Sequence, residues 1–153
     1  MFSSRQGLCR PESAQLGLRP EQWCRRTFRS AGEAPALLDD VVAALEGLGY
    51  PKKDVFAVRL ALEEALVNAV KHGNRGDAAK EARLRYHANA EFALMEVEDE
   101  GAGFDPAAVP DPLAPENLER PSGRGLFLIR KYMTWVEYNE RGNCVTLCKH
   151  RGA

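Results

Sequence analysis

Glu64 and Asn68 stand four residues apart in "LEEALVNAVKHGNRGD", among apolar residues at helical spacing, and Lys71 and His72 come next. Residues at i, i+4 and i+7 or i+8 stack on one face of a helix, so a carboxylate, an amide and a cation line one wall. Without further context the same residues also describe an exposed polar stripe, ended by a Lys/His pair that favours the negative end of the helix dipole. A second group, "EDEGAGFDP", lies where a strand runs out: Asp99 supplies a fixed carboxylate, and Gly101 and Gly103 supply backbone that a ligand can approach without meeting a Cβ. An ordinary turn would use the same residues. The third group, "ERPSGRGLFLI", sets Gly123 and Gly125 immediately before an apolar helix. Free N–H groups at a helix start attract phosphate, and Arg120 and Arg124 can add charge-assisted contacts.

These groups need elements to position them. "QWCRRTFRS" reads as a first strand with its arginines in water. Leu37, Leu38, Val41, Val42, Ala44, Leu45 and Leu48 recur at helical spacing over 34–48, and Gly49 stops that helix. A longer helix begins after Pro51, shows an apolar face through Val55, Val58, Leu62, Leu66 and Val70, and ends at Gly73 or Gly76. "KEARLRYHAN" and "EFALMEVEDE" form a hairpin around Asn89 to Glu91, with Phe92 and Leu94 on one face and Met95 and Val97 on the other. The stretch 101–123 holds five prolines and little periodicity, the mark of a functional or disordered loop. Leu126, Ile129 and Met133 restore helical spacing, and "WVEYNERGNCVTLCK" closes with another hairpin. The order β, α, α, β, β, long loop, α, β, β predicts an α+β two-layer sandwich, a mostly antiparallel sheet covered by helices on one face.

At 153 residues and 44% hydrophobic content the chain suits one domain, 21–150, behind a mobile extension over 1–20. A net charge of −1 offers no long-range field for nucleic acid or an anionic membrane. The absence of an N-terminal apolar run, and of the ~20 apolar residues a spanning helix needs, predicts a soluble, cytoplasmic protein. Cys9, Cys24, Cys144 and Cys148 show no metal-binding spacing and are expected to be reduced. The last two would lie roughly 13 Å apart on one strand, too far for a disulfide.

The three groups occur together and in order, and on them the chain resembles the GHKL-type (Bergerat fold) ATP-binding domain of DNA gyrase, a heat-shock chaperone, histidine kinases and the MutL repair proteins. It is most similar to the small anti-sigma-factor serine/threonine kinases: "EEALVNAVKHGN" resembles their N box, "DEGAGFD" and "ERPSGRGLFLI" their two glycine boxes, and the likeness runs from Trp23 to Lys149. The resemblance implies that Asn68 binds Mg²⁺ through its side-chain oxygen and that Glu64 is the general base. It implies that Asp99 accepts a hydrogen bond from the adenine amino group, in a pocket shaped by Gly101 and Gly103. Gly123, Arg124 and Gly125 would cradle the phosphates, Arg120 would pair with the terminal one, and Lys71 and His72 would join the ATP-binding wall. "ERPSG" is one residue longer than the family pattern, and "GNCVT" puts Asn143 where the family carries a threonine supporting the aspartate; asparagine can still donate a hydrogen bond.

The implied activity is phosphoryl transfer from ATP to a small STAS-type anti-sigma antagonist protein, with sequestration of a sigma factor. A non-catalytic module that uses ATP to hold a partner is the alternative. Dimerisation through the first strand region, common in the resembled family, extends to a homodimer as a hypothesis.

Overall fold

The computed structural model describes residues 17–101 and 121–153, with only the backbone for 121–126. Five strands, β1 (Cys24–Phe28), β2 (Ala82–Ala88), β3 (Phe92–Glu98), β4 (Trp135–Tyr138) and β5 (Cys144–His150), form one sheet in the order β1-β2-β3-β5-β4. Every neighbouring pair is antiparallel. Three helices, α1 (Ala34–Gly47), α2 (Lys52–Asn68) and α3 (Pro121–Tyr132), complete the α+β sandwich that the element order predicts.

Alternation decides which face of the sheet meets the helices. Leu84 and Tyr86 of β2, Ala93, Met95 and Val97 of β3, and Val145 and Leu147 of β5 share one core with Leu38, Val41 and Leu45 of α1, Leu62 and Leu66 of α2, and Ile129 of α3. On the opposite face Leu94 and Cys148 pack with Trp23, and Leu18, Phe92 and Trp135 lie against them. The expected division of Phe92 and Leu94 from Met95 and Val97 therefore holds. Leu18 belongs to the sequence stretch expected to be a mobile extension, yet it rests on Trp23. Residues 1–16 lie outside the described ones.

The hairpin turns are built by side chains. Asn89 Oδ1 accepts from Glu91 N at 2.8 Å and Phe92 N at 2.9 Å, closing β2 onto β3. Gly49 takes φ 81° beyond α1, where a Cβ would be strained. Outside the core, register sets Arg83 opposite Glu98 and Arg85 opposite Glu96. Arg85 pairs with Glu96 and reaches Glu98 at 3.6 Å.

Three expectations are corrected. The long helix does not stay α-helical to Gly73, because Ala69–Gly73 is a π-turn. The last helix starts at Pro121 and not after Gly125, so Gly123 and Gly125 fall inside it; proline suits a first turn, where its missing N–H has no partner to lose. Cys24 and Cys148 are free thiols, but Cys144 is disulfide-bonded, which overturns the expectation that all four are reduced.

Leu66 is fully buried between α2 and the sheet. Leu66→Ala removes that contact and leaves a void, and is expected to lower unfolding free energy by about 3 kcal/mol, read from urea unfolding midpoints.

Candidate functional site

The site forms where α2 ends beside the end of β3. Ala61, Leu62, Ala65 and Leu66 commit one side of α2 to the core, and Ala69 continues it into the turn that follows. Glu64 and Asn68, one turn apart, lie off that buried stripe and are partly exposed. No hydrogen bond or ion pair to the described residues occupies either side chain, and Asn68 sits at the last α-helical position. The backbone then widens: Asn74 N donates to Ala69 O at 2.8 Å and Gly76 N to Val70 O at 2.8 Å. Such π-turns often occur at functional positions, and the extra residue per turn rotates the succeeding side chains away from the α-helical wheel. Lys71 and His72 lie in this turn with exposed side chains. They continue the wall of Glu64 and Asn68 less directly than an unbroken α-helix would.

Asp99 comes directly after β3. By alternation its side chain takes the same side as Val97, toward the helices. There it meets Gly73: a Cβ on Gly73 would stand inside the Asp99 carboxyl group, with Oδ1 only 2.6 Å away. Gly101 N donates to Asp99 Oδ1 at 2.8 Å, and a Cβ on Gly101 would collide with the Gly73 carbonyl. Neither glycine has positive φ, so the requirement is closeness and not an unusual backbone angle. Burial pushes the Asp99 carboxyl up to about 6, against the Gly101 N–H and the charges of Arg141 and Lys80, which pull it down. Arg141 also donates to Gly101 O at 3.0 Å, fixing the turn.

Two asparagines brace this arrangement. Asn143 Nδ2 donates to the Asp99 backbone carbonyl at 2.9 Å, and Asp99 N donates to Asn143 O at 2.9 Å. Asn143 therefore donates a hydrogen bond from the position where a residue supporting Asp99 was expected, and it does so to the main chain of Asp99. Asn139 locks Asn143 in turn, donating to its Oδ1 at 2.8 Å and accepting from its N at 3.0 Å. Asn74, almost fully buried, accepts from Glu100 N at 2.8 Å and donates to Glu81 O at 3.2 Å, tying the end of α2 to β2 and to the turn after β3. Sequence reasoning missed Gly73 and Asn74 as site residues, since "HGN" carries the ordinary signature of a helix end. The only hint was that both lie inside the stretch resembling an N box.

Gly103 and Arg120 lie outside the described residues. Gly123, Arg124 and Gly125 belong to the first turns of α3. Phe56, near the start of α2, meets Tyr132, the last residue of α3, and the two helices pack along each other. They must therefore run antiparallel, which carries the N-terminus of α3 toward the Asn68 end of α2. That end presents N–H groups suited to an anion. Among the described residues no cluster of three or more His, Cys, Asp or Glu could hold a metal ion. The donors suited to a hard cation are the unengaged Asn68 amide and Glu64 carboxylate, a sparse set that fits Mg²⁺ shared with a phosphate chain.

A half-buried carboxylate lies beside the end of a helix that bears an amide and an acid, and residues 29–149 match the family described as the histidine kinase-like ATPase domain. The chain belongs to that family. It is an ATP-binding domain, and its relatives include proteins named as kinases. A serine-protein kinase RsbW of Listeria innocua is 30% identical over 67% of this chain and 69% of its own length. A second RsbW, from Halalkalibacterium halodurans, is 32% identical over 64% of this chain and 63% of its own length. A serine/threonine-protein kinase BtrW of Bordetella bronchiseptica is 29% identical over 62% of this chain and 70% of its own length.

Gly73→Ala is expected to displace the Asp99 carboxylate, costing about 2 kcal/mol of stability by overpacking and more than tenfold in ATP affinity, measured by urea unfolding and calorimetric titration. The pH response comes from two raised acids. Glu98, desolvated by burial and only partly offset by Arg85 and Arg83, is pushed up to about 7, and Asp99 to about 6. The folded chain then binds more protons than the unfolded chain between about pH 4 and pH 7, so these groups lower stability as pH rises through that window. Glu98→Gln should flatten the fall in urea midpoint across it.

Proposed function

We propose that this ATPase-family domain is a serine/threonine protein kinase that phosphorylates a small STAS-type antagonist protein and, in partner exchange with it, sequesters a sigma factor in the cytoplasm. The observation that supports this most is the packing of the Asp99 carboxylate against Gly73, at the end of the helix bearing Glu64 and Asn68. This contact brings the Asp99 carboxylate to the end of the helix that bears the acid/amide pair, which supports reading them as one site for base and phosphates. The kinase names of three relatives, each near 30% identity, agree with it.

In this reading Asp99 accepts the adenine amino proton, with Gly101 and Gly103 giving the base room. The start of α3, with Gly123, Arg124 and Gly125, receives the phosphates through backbone N–H groups, and Arg120 pairs with the terminal phosphate. Lys71 and His72 add positive charge near that chain. Asn68 would hold Mg²⁺, which would supply charge neutralisation to the phosphates. Glu64 accepts the proton of the substrate hydroxyl as its oxygen bonds to the γ-phosphorus. The bond from that phosphorus to the β–γ bridging oxygen breaks, and ADP leaves carrying the electron pair. A homodimer belongs to the same reading and would show by light scattering. No nucleic acid contact is part of it, and no helix among the described residues is long and apolar enough to cross a membrane.

Calorimetry with ATP and transfer of labelled phosphate to an antagonist protein test this together. Asp99→Asn should abolish most nucleotide binding, Asn68→Ala its Mg²⁺-dependent part, and Glu64→Gln should retain binding while losing at least about a hundredfold in transfer rate. Failure of the native chain to bind ATP overturns the reading. ATP affinity should fall about tenfold at pH 5 relative to pH 7, as Asp99 protonates below about 6, a dependence that titrations at the two pH values reveal.

A further inference from the structure

The other end of α2 carries a surface that the nucleotide site does not use. Phe56 is 59% exposed, and with Leu48 it is one of two large apolar side chains left in solvent among the described residues. Its ring meets Tyr132 edge-on, centroids 6.2 Å apart and planes at 83°, which holds the aromatic pair in a fixed shape. The two rings border a groove of about 490 Å³ that four lysines also line: Lys52 and Lys53 from the first turn of α2, Lys131 beside Tyr132, and Lys149 from β5.

Several features direct the charge of Lys52, Lys53 and Lys131 outward, whereas Lys149 is largely buried. None of the four ammonium groups forms an ion pair with a side chain of a described residue. Lys53 Nζ donates to the Gly152 carbonyl at 3.4 Å and Lys149 Nζ to Ala153 O at 2.7 Å, which leaves Lys52 and Lys131 as the freest of the four. Asp54, the carboxylate of the groove, is fully buried, accepts from Gly152 N at 2.7 Å through Oδ2, and forms no ion pair with these lysines. Lys131 Nζ stands 5.7 Å from the Tyr132 ring centroid, along the aromatic wall. Moreover, Lys52 and Lys53 occupy the first turn of α2, where the helix dipole is positive and cations are disfavoured. The helix gains nothing from two lysines there, whereas an anionic partner would gain from both the lysines and the dipole.

We propose that this groove docks an acidic segment of a partner protein, one that places a large apolar side chain against Phe56 and Tyr132 and carboxylates against Lys52, Lys53 and Lys131. An aromatic anchor flanked by complementary charge is the usual make-up of a binding hot spot. A free phosphate would leave the rings unused. A lipid surface fits poorly, since one exposed phenylalanine beside a concave groove is not the broad apolar face that inserts into a bilayer. Phe56 lies twelve residues from Asn68, about 18 Å along the helix, so the docked segment leaves the nucleotide site open. The proposal does not depend on the kinase reading.

The test titrates the full chain with a fluorescent peptide of alternating Glu and Leu around one Phe. The comparisons are the same peptide with Lys for Glu, and phosphatidylserine vesicles. Binding of the acidic peptide, weakening with salt and about tenfold weaker in Phe56→Ala and in the double variant Lys52→Glu/Lys53→Glu, is the expected result. ATP titration and urea unfolding of the same preparations should be unchanged, which separates loss of docking from loss of fold or of nucleotide. Three results overturn the proposal: no binding of the acidic peptide or equal binding by the variants; vesicle binding that depends on Phe56; or self-association lost in Phe56→Ala, which would assign the patch to a second copy of the chain.

Discussion

The close approach of Gly73, Asp99 and Gly101 is the contact on which the site depends. Chain segments from α2 and β3 converge there within distances that exclude any Cβ, and the interlock of the Gly73 carbonyl with Gly101 leaves the turn little freedom to slide. The carboxylate is thereby half-buried, with one backbone N–H donor to Oδ1 and two cations acting at longer range. The surrounding hydrogen bonds serve this contact. Asn143 and Asn139 hold the Asp99 main chain from the β4–β5 turn, and Asn74 holds the end of α2 against the turn after β3. The bracing bonds run chiefly from side chain to backbone, a kind that fixes irregular segments where ladder bonds cannot reach.

Burial of polar groups in this protein is uneven, and the unevenness separates scaffold from site. On the outer sheet face Glu98 is drawn between Arg83 and Arg85, each 3.6 Å away, and burial still dominates its titration. Such partly compensated pairs add little net stability. Their geometry nevertheless fixes the β2–β3 register, since a slip by one residue would bring Arg83 and Arg85 to the core face and expel Leu84. The register in turn sets which side Asp99 faces.

Much of this fold is legible in the sequence because apolar period alone separates helix from strand. The leucines and valines of α1, the alternation of Met95 and Val97 against Leu94, and the Asn89 turn each carry a local signal. The site was legible only in part. Glu64, Asn68 and Asp99 stood out as polar residues at structurally committed positions. The π-turn did not, because over the 5 residues of Ala69–Gly73 its wider period cannot be told from the α-helical one. Gly73 and Asn74 were hidden for a different reason: their partners, Asp99 and Glu100, lie 26 residues further along the chain, and nothing local distinguishes a glycine needed for contact from one that ends a helix. The start of α3 was misplaced because glycines signal loops more strongly than a first-turn proline signals a helix.

The incomplete solvation of Asp99 bears on how such a pocket works. A carboxylate whose folded environment raises its pKa to about 6 lacks donors that water would otherwise supply. A ligand offering an amino group restores one of those donors and favours the charged form, so binding must draw the pKa back down. In the proposed reading, nucleotide binding would by linkage release a proton from Asp99 at pH values near 6, and the free energy spent on desolvating the acid during folding would be partly returned on binding. Gly73 and Gly101 make that exchange possible, because they let the chain close on the carboxyl and partly desolvate it while only the Gly101 N–H donates to it. A side chain at either position would leave the acid displaced or solvated, and in both cases less dependent on its ligand.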